Sequence, residues 1–258
     1  MEVSLPWADI LLQNIREEYG RPKPRIIITE ASQEDHAYIL RVMNEPNSFD
    51  SSAFMKEATN YRLRKLISGN HTILSYTNTY NDKAEWFRIM RCLAKNRPTR
   101  ILFFGSEVRR HLPEKHAPIS PVNINGGYTM LCDTTAIVIY RAEDAERVLI
   151  HELLHGLCSD PDLPIADLEA DTEAWAEIIY MAFKAQGEKN KWQRLMRKQI
   201  DHGVNQAKYV EKYHGVNGPT DYGWRYISGR LDVWSALGMR LNKHKTLKKP
   251  RTLKLTIE

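Results

Sequence analysis

Two histidines four positions apart, His151 and His155, bracket Glu152-Leu153-Leu154 in the run HELLH. On a helix, residues i and i+4 share one face, so both imidazoles can reach a single metal ion. The carboxylate of Glu152, beside the first histidine, then falls close to a metal-bound water. Zinc held by three protein ligands and one water lowers the pKa of that water to roughly 7. Glu152 would take the proton as general base, and the resulting nucleophile would attack a carbonyl polarised by the same ion.

The third ligand is expected on the next helix. Ser159-Asp-Pro-Asp-Leu-Pro164 reads as a loop, and a helix is predicted from about Ala166 to Phe183. Glu169, Glu173 and Glu177 recur every four residues along it and form one acidic stripe. On an arbitrary helix such a stripe is a solvated face. Here it follows HELLH after one tight loop, and Glu173 stands in Thr172-Glu173-Ala174-Trp175-Ala176.

Together these residues resemble the gluzincin group of zinc peptidases, the thermolysin-like enzymes and zinc aminopeptidases. In that group HExxH is followed, after a gap of somewhat under twenty residues, by a ligating glutamate in an Asn-Glu-Gly/Ala-aromatic-Ala setting. The resemblance spans roughly residues 128–183. It implies zinc held by His151, His155 and Glu173, with Glu152 as general base. It also implies that Glu177, one turn on, orients the first histidine. Glu169 is the rival ligand, with Glu173 then the orienting carboxylate. Peptide hydrolysis further needs an oxyanion donor, which related enzymes take from the C-terminal part as a tyrosine or histidine. Tyr222, Tyr226, His202 and His214 are eligible here, and the two tyrosines share a helical face if Thr220 starts a helix. The competing reading is that both tyrosines fill the core.

The elements that must position these residues follow from periodicity. Ala136–Tyr140 reads as a buried strand, and a helix with acidic residues in its first turn begins at Arg141. The resemblance implies that the strand before the metal helix, Val122–Cys132, borders the site and pairs with extended substrate, where Asn125-Gly-Gly-Tyr128 would let a backbone approach; a hairpin turn or bulge is the competing reading. Further helices are predicted over 7–19, 33–43, 53–67, 81–96, 192–213 and 219–237, and strands over 25–29, 71–80 and 100–104. The expected fold is α+β: a zincin-like domain, its mixed sheet packed on the metal helix, with a helical C-terminal part. The expected division is a mainly helical region 1–98, a catalytic domain 99–240 and a basic tail 241–258.

With 258 residues, 42% hydrophobic and 27% charged, the chain suits one globular unit or one with an appendage. No run of eighteen apolar residues supports a membrane span, and the first residues lack the pattern of a signal peptide. Three scattered cysteines, Cys92, Cys132 and Cys158, do not make a disulfide framework, so a reducing compartment, cytoplasmic or nuclear, is expected. Cys158 reads as a small buried residue, His71 as a strand-end surface residue, and His111 and His116 as exposed. Lys56, Arg62, Arg64 and Lys65 read as a solvated face or a phosphate-contacting one. Arg225 or Arg230 could grip a substrate carboxylate, although arginines more commonly end in surface salt bridges.

Two other functions compete with a zinc peptidase acting on peptide or protein substrates. Asp201-His202-Gly203 is loosely like the third-ligand histidine of SprT-like proteases, which cut proteins attached to DNA. With the basic tail, and a net charge of +5, that would bring nucleic-acid partners. The other alternative is a structural or interaction protein that keeps the metal scaffold without turnover.

Overall fold

The computed structural model describes residues 5–45, 54–56, 60–76, 83–159, 162–241 and 247–257. It is a mixed α/β structure that divides into two compact units. One comprises residues 21–109 and 125–159, and the other residues 1–20, 110–124 and 160–258.

The first unit is built on a six-stranded mixed sheet in the order β1-β2-β3-β4-β6-β5. β1 (Ile27–Thr29), β2 (Leu63–Ser68) and β3 (His71–Tyr76) are antiparallel neighbours. β4 (Thr99–Ser106) and β6 (Ile137–Arg141) continue the sheet in parallel with β3, and β5 (Gly127–Tyr128) closes it antiparallel to β6. The central strands are apolar on both faces, as expected of parallel strands covered on both sides. Leu74, Leu102, Phe104, Val138 and Tyr140 join a core with Tyr38, Ile39 and Val42 of α2 (Gln33–Asn44). The alternate residues Ile73, Ile101, Ile137 and Ile139 are fully buried on the other face. There Phe103 meets Trp86 of α3 (Ala84–Leu93), ring centroids 4.9 Å apart.

The second unit is helical. α1 (Pro6–Gly20), the four-residue α4 (Pro121–Ile124), α6 (Ile165–Lys184), α7 (Lys189–His214), a π-helical turn at Trp224–Ser228 and α8 (Gly229–Ala236) compose it. Trp7 sets its ring edge-on to Trp175 and Trp192, at 5.3 and 6.1 Å. A second core gathers Ile119, Ile124, Val210, Ile227, Leu253 and Leu255.

Several expectations change. The helix predicted over 53–67 gives way to strand β2 over its last residues, whereas 46–53 and 57–59 lie outside the described residues. Val122–Cys132 is not one strand: α4 occupies its start, and only Gly127–Tyr128 pairs. The predicted 219–237 helix begins at Tyr222 and runs to Ala236 with a π turn at Trp224–Ser228 along its course. Residues 1–98 are not a separate helical body, because β3 pairs with β4 across that boundary, His71 opposite Thr99. The expected tail is not wholly peripheral: Leu253 and Leu255 have no exposed surface, and residues 242–246 lie outside the described residues.

Candidate metal centre

α5 (Ala145–Gly156) carries the histidine pair. It begins four residues later than predicted, because β6 runs on through Arg141. That arginine is fully buried and donates to the carbonyls of Asn125 and Val108, at 2.7 and 3.0 Å. Val148, Leu149, Ile150 and Leu153 are all buried and anchor the helix in the sheet unit. One face of it presents His151, Glu152 and His155, each 5–6% exposed. The Nε2 atoms of His151 and His155 stand 3.1 Å apart. Two ligands roughly 2.0–2.1 Å from a shared ion, at an angle of about 100°, give this separation. Without a cation, one of the two nitrogens must carry the proton that lies between them.

β5 is positioned by the same helix. A Cβ placed on Gly127 would lie 2.6 Å from the Val138 carbonyl oxygen, 2.8 Å from Val148 Cγ1 and 3.5 Å from Glu152 Cγ. The glycine is therefore demanded by the protein's own strand and helix, and Glu152 is packed beneath it. β5 is the terminal strand of the sheet, with no strand on its outer side among the described residues. At the other end of α5, a Cβ placed on Gly156 would lie 3.2 Å from the Asp133 carbonyl oxygen and 3.3 Å from Thr134 Cα, so the glycine seats closely on that backbone.

That contact is reinforced covalently. Cys132 and Cys158 form a disulfide, their Cα atoms 4.6 Å apart. Cys158 is exposed rather than a small buried residue, and Cys132 is exposed as well. Their separation of 26 residues gave no motif by which the pairing could be read.

In the helical unit, the acidic stripe of α6 is not a solvated face. Glu173 and Glu177 have no exposed surface, and Glu169 is half-buried. Glu177 forms an ion pair with the equally buried Arg230 and accepts from Gln199 Nε2 at 2.8 Å. Arg230 also donates to Gln206 Oε1 at 2.9 Å, so it serves the interior of its unit and is not offered to a substrate. α8 fixes this part of α6: Gly229 lets it approach Ala170, and Trp234 Nε1 donates to the Ala174 carbonyl at 3.4 Å.

Within the sheet unit, His151 and His155 offer two imidazole donors to one metal ion. Glu169 and Glu173, the carboxylates expected to complete the set, stand on α6 of the helical unit. Two imidazoles and one carboxylate are a donor set that suits zinc.

The remaining candidates have other surroundings. Tyr222 and Tyr226 place their hydroxyls 3.5 Å apart, and Tyr226 is buried in the second core. His202 Nε2 lies 3.0 Å from the Lys254 carbonyl, and His214 Nδ1 lies 2.9 Å from that of Ala117. His71 is buried, not at the surface, and burial lowers its pKa. Arg62 and Arg64 both pair with Glu30, and Lys65 pairs with Asp35 at 2.8 Å. These cations are committed to carboxylates of their own unit. Lys83, not singled out by the sequence reading, places its ammonium 4.0 Å from the Trp86 ring centroid and 4.3 Å from that of Phe103. Burial lowers its pKa to about 8, against the opposing pull of Glu146. The three-residue spacing to Trp86 on a helix was the available signal.

Comparison with protein-family models, with curated proteins and with solved structures finds no match to this chain.

Proposed function

We propose that the chain is a zinc-dependent hydrolase of peptide bonds in which His151 and His155 hold the metal with a carboxylate of the acidic helix, Glu173 by the resemblance or its rival Glu169. The observation that carries this reading is the buried histidine pair on α5, its Nε2 atoms 3.1 Å apart and a buried glutamate between them in sequence. When bound there, zinc would supply an acidified water and polarise the substrate carbonyl. Glu152 is the general base of this reading, a carboxylate that would hold a proton and return it to the departing amine. Its burial beneath Gly127 fixes its position for both transfers. The open side of β5 offers main-chain groups to an extended peptide. Among the described residues, no helix is long and apolar enough to cross a membrane.

Metal analysis of purified variants, paired with a peptide panel, tests the assignment. The wild-type protein should hold about one zinc per chain. His151→Ala and His155→Ala should lose it, and Glu152→Gln should keep it while losing hydrolysis. Of the two candidate carboxylates, Glu173→Ala should lose zinc and Glu169→Ala should retain most of it. The reverse pattern makes Glu169 the ligand. Zinc binding with no hydrolysis of any peptide would point to the non-catalytic scaffold, and absence of zinc would end the metal reading.

A further inference from the structure

We propose that the Cys132–Cys158 bridge is a redox latch on the metal helix: opening it by thiol–disulfide exchange loosens His155 and weakens zinc binding. The proposal rests on the reading of His151 and His155 as ligands and adds a regulation of that same site.

The bridge sits where the helix ends. Cys158 lies three residues beyond His155, and Cys132 lies in the segment between β5 and β6. The backbone N–H groups of both cysteines converge on one acceptor, the His155 carbonyl, at 3.0 Å from Cys132 and 3.1 Å from Cys158. Both cysteines hold left-handed backbone conformations, φ +63° and +58°, which side-chain-bearing residues adopt only when their surroundings impose them. The covalent tie is one such constraint, and the close seat of Gly156 on Asp133 and Thr134 is a second. A helix end frays readily when nothing holds it, and here the last turn contains a candidate ligand. Both cysteines are exposed, so a small dithiol can reach the bridge. Exposed disulfides are typically the labile and regulatory ones.

The exchange balances without any group from the site. A thiolate of the dithiol attacks one bridge sulfur, forming a mixed disulfide and releasing the other cysteine as a thiolate that takes up a proton. The second thiol of the reductant then closes on the mixed disulfide and frees the remaining cysteine. The bridge gains two electrons and two protons, and the dithiol leaves as its own disulfide. A disulfide oxidant reverses the sequence.

The test compares full-length protein in its air-oxidised form with protein opened by a dithiol and then freed of reductant. Thiol counting first establishes each state: one thiol, Cys92, when the bridge is closed and three when it is open. Zinc affinity is read by competition with a chromophoric chelator, and hydrogen exchange of the metal-free protein is read over residues 153–158. Opening the bridge should weaken zinc binding by roughly tenfold or more, the scale on which lost support of a ligand is felt, and should speed exchange in that stretch. Cys132→Ser/Cys158→Ser should match the opened wild type and no longer respond to reductant. Should the double variant fail to fold, the two states of the wild type decide alone. Equal zinc affinity and equal exchange in verified closed and open states would overturn the latch while leaving the metal reading intact. Three thiols in air-oxidised protein would overturn it as well. No zinc binding in either state would remove both readings.

Discussion

At the scale of single residues, the grouping of near neighbours was more legible than environment. The proximity of His151 and His155 could be read from five positions of sequence because a helix puts residues four apart on one face. What surrounds a side chain is set by distant parts of the chain, so the burial of His71 and the aromatic seat of Lys83 were not readable in the same way. Lys83 gives a prediction of its own. Its folded pKa of about 8 lies below the ordinary lysine value of 10.5, because burial penalises the charged form. Between those values the unfolded chain binds more protons than the folded one, so stability rises with pH through that window. Relative to Lys83→Met, the wild-type protein should gain roughly 1–3 kcal/mol between pH 8 and pH 10.5, allowing for partial exposure. Paired urea titrations at several pH values measure this. A difference between the two proteins that stays constant with pH would mean the ammonium is not desolvated.

At the scale of elements, long apolar periodicities carried through and short ones misled. The helix bearing HELLH, the acidic helix and strand β4 all lie close to their predicted positions. β2 was read as helix for an identifiable reason. Its buried residues are Leu63 and Leu66, three apart as on a helical face, although the chain there is extended against β3. Edge-to-centre variation in burial imitated the wrong period, and pairing with β3 overrode it. β5 is two residues long, too short for any periodicity. Its geometry yields a sharper test than its sequence. Gly127→Ala would drive a methyl group into the Val138 carbonyl and Val148, neither of them the end of a flexible side chain. We expect a loss of about 1–3 kcal/mol in stability, with a fall in hydrolysis larger than any loss of bound zinc, because Glu152 lies beneath the same contact. Wild-type stability in Gly127→Ala, measured by thermal unfolding, would show that β5 can move away without cost.

At the scale of the whole molecule, the division of the chain was the least legible feature, since both units are assembled from discontinuous segments. In the helical unit, Glu177, Arg230, Gln199 and Gln206 join α6, α7 and α8 to the last residues, Gln199 and Arg230 both donating to the Leu255 carbonyl. Removing one partner of a buried ion pair strands the other charge. Glu177→Ala should therefore lower stability by about 3–5 kcal/mol, and Glu177→Leu/Arg230→Met should recover much of that loss. Chemical denaturation of the three proteins decides it, and a single variant within about 0.5 kcal/mol of wild type would place Glu177 outside the stabilising network. Leu253 and Leu255 also govern the order of events during synthesis. Every segment of the sheet unit has been made by residue 159. The core of the helical unit, in contrast, lacks Leu253 and Leu255 until seconds later, at roughly 5–20 residues per second. A nascent chain thus holds every strand of its sheet well before the helical unit has its full core.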